Sequence, residues 1–198
     1  MARLIQSIRN AAVLIAVVAG LTACGPTTPP TAEAALAPED KVVVLTVTGA
    51  IGNSNRGPLD ENRDAFLGHR GIKFDRAYEF TRASLAALGE HELKVQRSNW
   101  PAPVVVRGPI FRDVLAAVKA EGNTVALQAL DGYTAKFPVA ALQDDAVILA
   151  IEADGAPLSI GGRGPTWLVF PTGVVPGSDD DGDGGLVWSA YYLEVTKE

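Results

Sequence analysis

The sequence predicts a mixed α/β domain, rich in strands, and three observations carry that expectation. Short apolar runs dense in β-branched residues recur along the chain, as in Lys41–Gly49 and Ala146–Ile151. One stretch, Ile110–Ala120, has helical spacing, with Phe111, Val114, Leu115 and Val118 on one face. Between the runs stand turn dipeptides that tolerate positive φ, Asp131-Gly132 and Asp154-Gly155 above all. The chain has 198 residues, 47% hydrophobic and 20% charged, with 20 Gly and 13 Pro, which suits one globular domain with many turns.

Residues 1–23 read as an export signal. Arg3 and Arg9 give a positive start and Ala11–Leu21 an apolar stretch of secretory length, too short for a permanent membrane span. Leu21-Thr22-Ala23-Cys24 resembles a bacterial lipobox, which makes the Cys24 thiol the site of diacylglycerol attachment and explains why the one cysteine stands there. Cleavage before Cys24 removes Arg3 and Arg9 and no acid, so the net charge goes from −6 to −8. Residues 24–40, with Pro26, Pro29, Pro30 and Pro38, read as an extended tether. The expected placement is extracytoplasmic, lipid-anchored to a bacterial membrane (periplasmic face or cell surface).

Residues 41–198 then form the domain, and about 150 residues are enough to bury a core without staples. Lys41–Gly49 is the first strand, ended by glycine, and Ile51–Arg70 a polar excursion. Phe74–Phe80 is a short strand, and Thr81 caps a helix running to Leu88, stopped by Gly89. Glu92–Arg97 alternates as a strand, Ser98–Pro103 is a loop carrying Trp100, and Val104–Val106 leads into Arg107-Gly108-Pro109. The helix Ile110–Ala120 follows, with Gly122 just past its end, then a hairpin around Asp131-Gly132 within Leu127–Pro138. Ala146–Ile151 is a buried strand and Gly161–Pro165 a loop; Thr166–Pro171 and Val187–Val195 are the last strands.

Composition excludes several chemistries. A single cysteine permits no intramolecular disulfide, Cys-rich zinc site or iron–sulfur cluster, and two histidines permit no multi-histidine metal site. An acidic balance argues against a nucleic-acid partner. No serine sits in a nucleophile elbow, and His69 and His91 are expected at the surface.

The order of landmarks resembles a known family. Trp100, Gly108–Leu115, Ala129–Tyr133, Ile148–Ala150, Asp154–Leu158 and Gly164–Pro171 are similar in order and spacing to the oxidoreductase molybdopterin-binding domain, the fold of sulfite oxidase. The likeness covers roughly Lys41 to Val195 and is nearest to small, single-domain exported members. It implies a pocket around Trp100, Arg107, Asp131, Tyr133 and Arg163. It also implies a molybdenum-binding cysteine shortly before Trp100, where this chain has Gln96, a neutral oxygen ligand in place of a soft anionic one. After Pro171, where relatives hold the pterin phosphate, stands Gly177-Ser-Asp-Asp-Asp-Gly-Asp-Gly-Gly185. Each carboxylate about 4 Å from a phosphate would cost on the order of 4 kcal/mol near a protein surface. A cofactor inserted in the cytoplasm calls for a twin-arginine signal, and Arg3 and Arg9 are not adjacent. The expectation is a domain without molybdenum ligation that binds a small ligand or an envelope protein; the alternative is an oxidoreductase holding molybdopterin without the thiolate.

Other residues carry two readings each. Asp179, Asp181, Asp183 and Gly184 fit the first half of a calcium loop, which would make a Ca²⁺-dependent scaffold or adhesion module, but its twelfth position is Ala190, so a solvated acidic loop is preferred. Asp131 and Tyr133 either line the implied pocket or serve the turn and the core, the latter preferred. Trp167 and Trp188, flanked by apolar residues, are expected in the core.

Overall fold

Five consecutive residues of β1 (Val43–Gly49), from Val44 to Thr48, are buried, which is why its apolar run is unbroken rather than alternating. The structure, a computed structural model, describes residues 41–174, 176 and 185–198. The expected signal 1–23, Cys24, the expected tether 24–40 and the acidic residues Asp179, Asp181 and Asp183 lie outside the described residues. β1 pairs in parallel with the long last strand, β11 (Val187–Thr196), and antiparallel with β2 (Tyr78–Thr81). At its end the two backbones come so close that a Cβ on Gly49 would lie 2.1 Å from the Val195 oxygen, and Gly49 has φ 85.

β11 is the spine of a seven-stranded sheet. One edge pairs with β5 (Thr124–Ala129), which forms a hairpin with β6 (Thr134–Pro138) through the Asp131-Gly132 turn. The other edge pairs first with β10 (Thr166–Val169), itself paired with β7 (Ile148–Ala150), and then with β1. A smaller sheet joins β3 (His91–Val95), β4 (Val104–Gly108), β8 (Glu152–Ala153) and β9 (Ala156–Pro157). Three short α-helices among the described residues complete the domain: α1 (Ala65–His69), α2 (Arg82–Ala86) and α3 (Phe111–Ala117). None is long and apolar enough to cross a membrane. The strand-rich α/β class stands, with helices as minor elements.

Several bounds differ from expectation for physical reasons. The helix at Phe111 stops at Ala117 because Lys119 turns to φ 49 and Ala120 bridges to Ile51. The helix after Thr81 is one turn and a half, closed by a capping box in which Ser84 N–H donates to Thr81 Oγ1 at 3.1 Å and Thr81 N–H to Ser84 Oγ at 2.8 Å. The excursion Ile51–Arg70 contains α1, tied down by charge. Arg56 donates to Asp64 through both terminal nitrogens, at 2.9 and 2.6 Å, and to Glu79 at 2.6 Å, with the Arg56 and Asp64 side chains each 7% exposed. The hydrogen bonds from Arg56 hold the Asp64 carboxyl below its ordinary range against the cost of burial.

Two register shifts in β11 shape everything beside it. Ala190 and Tyr192 face Ala129 and Gln128, so Tyr191 is an extra residue. The bulge lets the adjacent Tyr191 and Tyr192 both join one apolar cluster with Leu67 of α1, where a regular strand would split them between faces. The second shift, between Thr166↔Ala190 and Leu168↔Val187, includes Ser189 at φ 50.

Candidate functional site

All three tryptophans of the chain meet at one arginine. The guanidinium carbon of Arg163 lies 4.8 Å from the ring centre of Trp100, 4.6 Å from Trp167 and 5.1 Å from Trp188. Trp100 and Trp167 are 5.6 Å apart and tilted, and Trp188 meets Trp167 edge-on at 6.3 Å. Trp167, in the middle of β10, has no exposed surface and Trp100 is nine-tenths buried, whereas Trp188 is 37% exposed.

Each member is placed by local structure. The Ser189 bulge breaks the β10–β11 alternation beside Trp188, and there the Ser189 N–H donates to the Arg163 carbonyl at 2.9 Å and its Oγ to the Gly162 carbonyl at 3.0 Å. The Ser159 carbonyl accepts from the N–H groups of both Gly162 and Gly164. A Cβ on Gly164 would lie 2.6 Å from the Leu158 carbonyl, so the loop closes only with glycine there. The backbone under Arg163 is therefore fixed on both sides.

The polar side-chain groups of this cluster are all donors. No carboxylate among the described residues stands within ion-pair distance of Arg163. The indole N–H groups of Trp100 and Trp167 are buried and find no acceptor among the described residues. Unsatisfied buried donors carry a desolvation penalty of about 1–3 kcal/mol each. A half-buried guanidinium without a carboxylate partner is a group that pairs with an anion.

Of the residues the resemblance implies, the structure joins Trp100 to Arg163 and distributes the others. Arg107 projects from β4 and is answered by Glu92 at 3.7 Å and Glu152 at 3.5 Å, all on the small sheet. Asp131 serves the hairpin turn, its Oδ1 accepting from the Tyr133 N–H at 2.8 Å. Tyr133 is 47% exposed rather than packed in the core, because it stands at the tip of the hairpin. Trp188 is the other departure: expected in the core, it is the outer wall of the cluster because the bulge at Ser189 interrupts the strand. No sequence signal for that bulge exists beyond a serine in an apolar strand. His69 and His91 are exposed.

The position implied for a molybdenum ligand does not suit the metal. Gln96 is engaged by its own loop, its Nε2 donating to the carbonyls of Arg97 and Trp100, both at 2.9 Å. Its neighbour Arg97 is 1% exposed and donates to the Phe170 carbonyl at 2.7 Å. Neither offers the soft anionic donor that such a centre requires. Among the described residues no group of three or more His, Cys, Asp or Glu is placed to hold a metal ion.

The class these features define is a strand-rich α/β domain with an arginine set among three indoles. No protein-family model matches the chain, and comparison with curated proteins finds no match.

Proposed function

We propose that the chain is an extracytoplasmic bacterial lipoprotein, anchored through Cys24, whose sulfite-oxidase-like domain has lost molybdenum ligation and binds a small anionic ligand at Arg163. The observation that carries this reading is the donor-only cluster: a guanidinium among three indoles, with no carboxylate partner among the described residues. The three indoles hold the guanidinium in place, so little side-chain freedom is lost when it grips a carboxylate, sulfonate or phosphate. Trp188, partly exposed, offers the ligand's body an apolar wall. The Gln96 contacts support the loss of molybdenum ligation.

The test uses the tryptophans as reporters, since all three surround the arginine. The mature protein is titrated with inorganic phosphate, sulfate and benzoate while indole emission is followed. A saturable change with at least one anion, abolished in a folded Arg163→Gln variant, is expected. No saturable change with any of the three would overturn the anion reading. The molybdopterin-dependent oxidoreductase remains the rival, separated by metal and pterin analysis of native protein. The Ca²⁺ module rests on Asp179, Asp181 and Asp183, and a thermal midpoint unchanged by Ca²⁺ removes it.

A further inference from the structure

We propose that the apolar face around Val42, Val43, Phe66 and Ile160 rests on the bilayer that carries the anchor, so that the domain docks in one orientation. This rests on the reading of Cys24 as the lipid-attachment site. Val42, Val43, Phe66 and Ile160 are 51%, 38%, 47% and 71% exposed and make up four of the seven large hydrophobic side chains that the described residues leave exposed. They line two grooves, of about 350 and 520 Å³, which share Val44, Ile160 and Pro165 and so form one continuous depression. Proline and leucine extend its apolar lining at Pro157 and Leu158.

Charge and chain path say what covers it. Arg63 lines one groove and Arg82 the other, and the exposed Lys41 adjoins Val42. The acids lining the depression, Asp64 and Glu79, are both engaged by Arg56, and Glu79 by Arg63 as well. Arg82 donates to the carbonyls of Leu158 at 3.0 Å and Ile151 at 3.4 Å and has no carboxylate partner among the described residues. An apolar centre with surplus cations at its margin, on a mature chain of net charge −8, complements anionic headgroups over an acyl boundary. A second copy fits poorly, because a two-fold contact would set these cations against their own equivalents. The chain also enters the domain here. Residues 24–40 span at most about 60 Å from lipid to Lys41, and the chain joins the domain at the edge of this face.

The test keeps the lipoprotein whole. In the mature protein Cys24 is acylated, so a cysteine placed at Ile160 or Phe66 is the only free thiol. Bimane is attached to Ile160→Cys and, separately, Phe66→Cys, Tyr133→Cys and Val174→Cys, and each protein is reconstituted into phosphatidylglycerol–phosphatidylethanolamine vesicles. The expected result is a blue shift and quenching by brominated lipid at positions 160 and 66, with no change at 133 and 174. Vesicle-bound protein whose labels at 160 and 66 stay as accessible as that at 133 would overturn the docking and leave the anchor intact. Mature chain that carries no acyl group and does not float with vesicles would overturn both. Pyrene at position 160 giving excimer emission without lipid quenching would assign the face to a second copy instead, and also overturn the proposal.

Discussion

Replacing Arg163 by alanine removes one guanidinium from three rings at 4.6–5.1 Å. A single cation–π contact contributes about 0.5–1 kcal/mol when exposed and about 2 when desolvated. Arg163 is half-buried and its rings range from fully buried to 37% exposed, so the contacts fall between those limits. They share one cation and do not add, which leaves an expected loss of about 1–2 kcal/mol for Arg163→Ala. Arg163→Lys keeps the charge but not the flat face, and should fall between the two. Urea unfolding followed by far-UV circular dichroism measures this: with a slope of about 2 kcal/mol/M, the midpoint drops by about 0.5–1 M at constant slope. Native indole emission should shift as well, because all three fluorophores lose their neighbour. An Arg163→Ala protein with the parent's midpoint and emission would show that the cation is a bystander, and the site would lose its basis.

Other perturbations test the frame. Asp64→Asn leaves Arg56 with Glu79 as its carboxylate partner and removes one charged acceptor, and should cost about 1–3 kcal/mol at neutral pH. Because the folded Asp64 carboxyl is held low, its stabilisation is complete above the ordinary carboxylate range and disappears as pH falls through the folded value; the gap between the two proteins should close in acid, and a gap constant with pH would refute the pairing. Tyr192 hydrogen-bonds Thr48 Oγ1 at 2.6 Å in the core, and burial pushes its phenol up to about 12. Its contribution is therefore complete below about pH 10 and lost as pH rises toward the folded value; Tyr192→Phe should cost about 1 kcal/mol in a neutral melt. Gly164→Ala drives a methyl to 2.6 Å from the Leu158 carbonyl and should cost about 1–3 kcal/mol, while shifting indole emission through the displaced Arg163 loop. An unchanged melt and spectrum would show the loop to be slack.

What the sequence discloses of this fold depends on how local each cause is. The β1 run, the Asp131-Gly132 hairpin and the Thr81 cap are written within a few residues, and each is found where expected. α1 is not legible: in five residues it buries only Leu67, and what holds it is Arg56 reaching Asp64 and Glu79. β8 and β9, two residues each, exist only by pairing with β4 and with each other. The site divides the same way. Trp100 and Arg163 are named by the pocket that the resemblance implies, but Trp167 and Trp188 read as core because nothing local announces the Ser189 bulge. Arg107 is a pocket residue only by the resemblance, and the small sheet places Glu92 and Glu152 against it.

The most direct measurement is the metal and pterin content of the protein purified from its native host. With Gln96 bound into its own loop, the protein should carry neither molybdenum nor a pterin above trace levels. Near-stoichiometric molybdenum, with pterin released on denaturation, would contradict the reading that this domain binds without the metal.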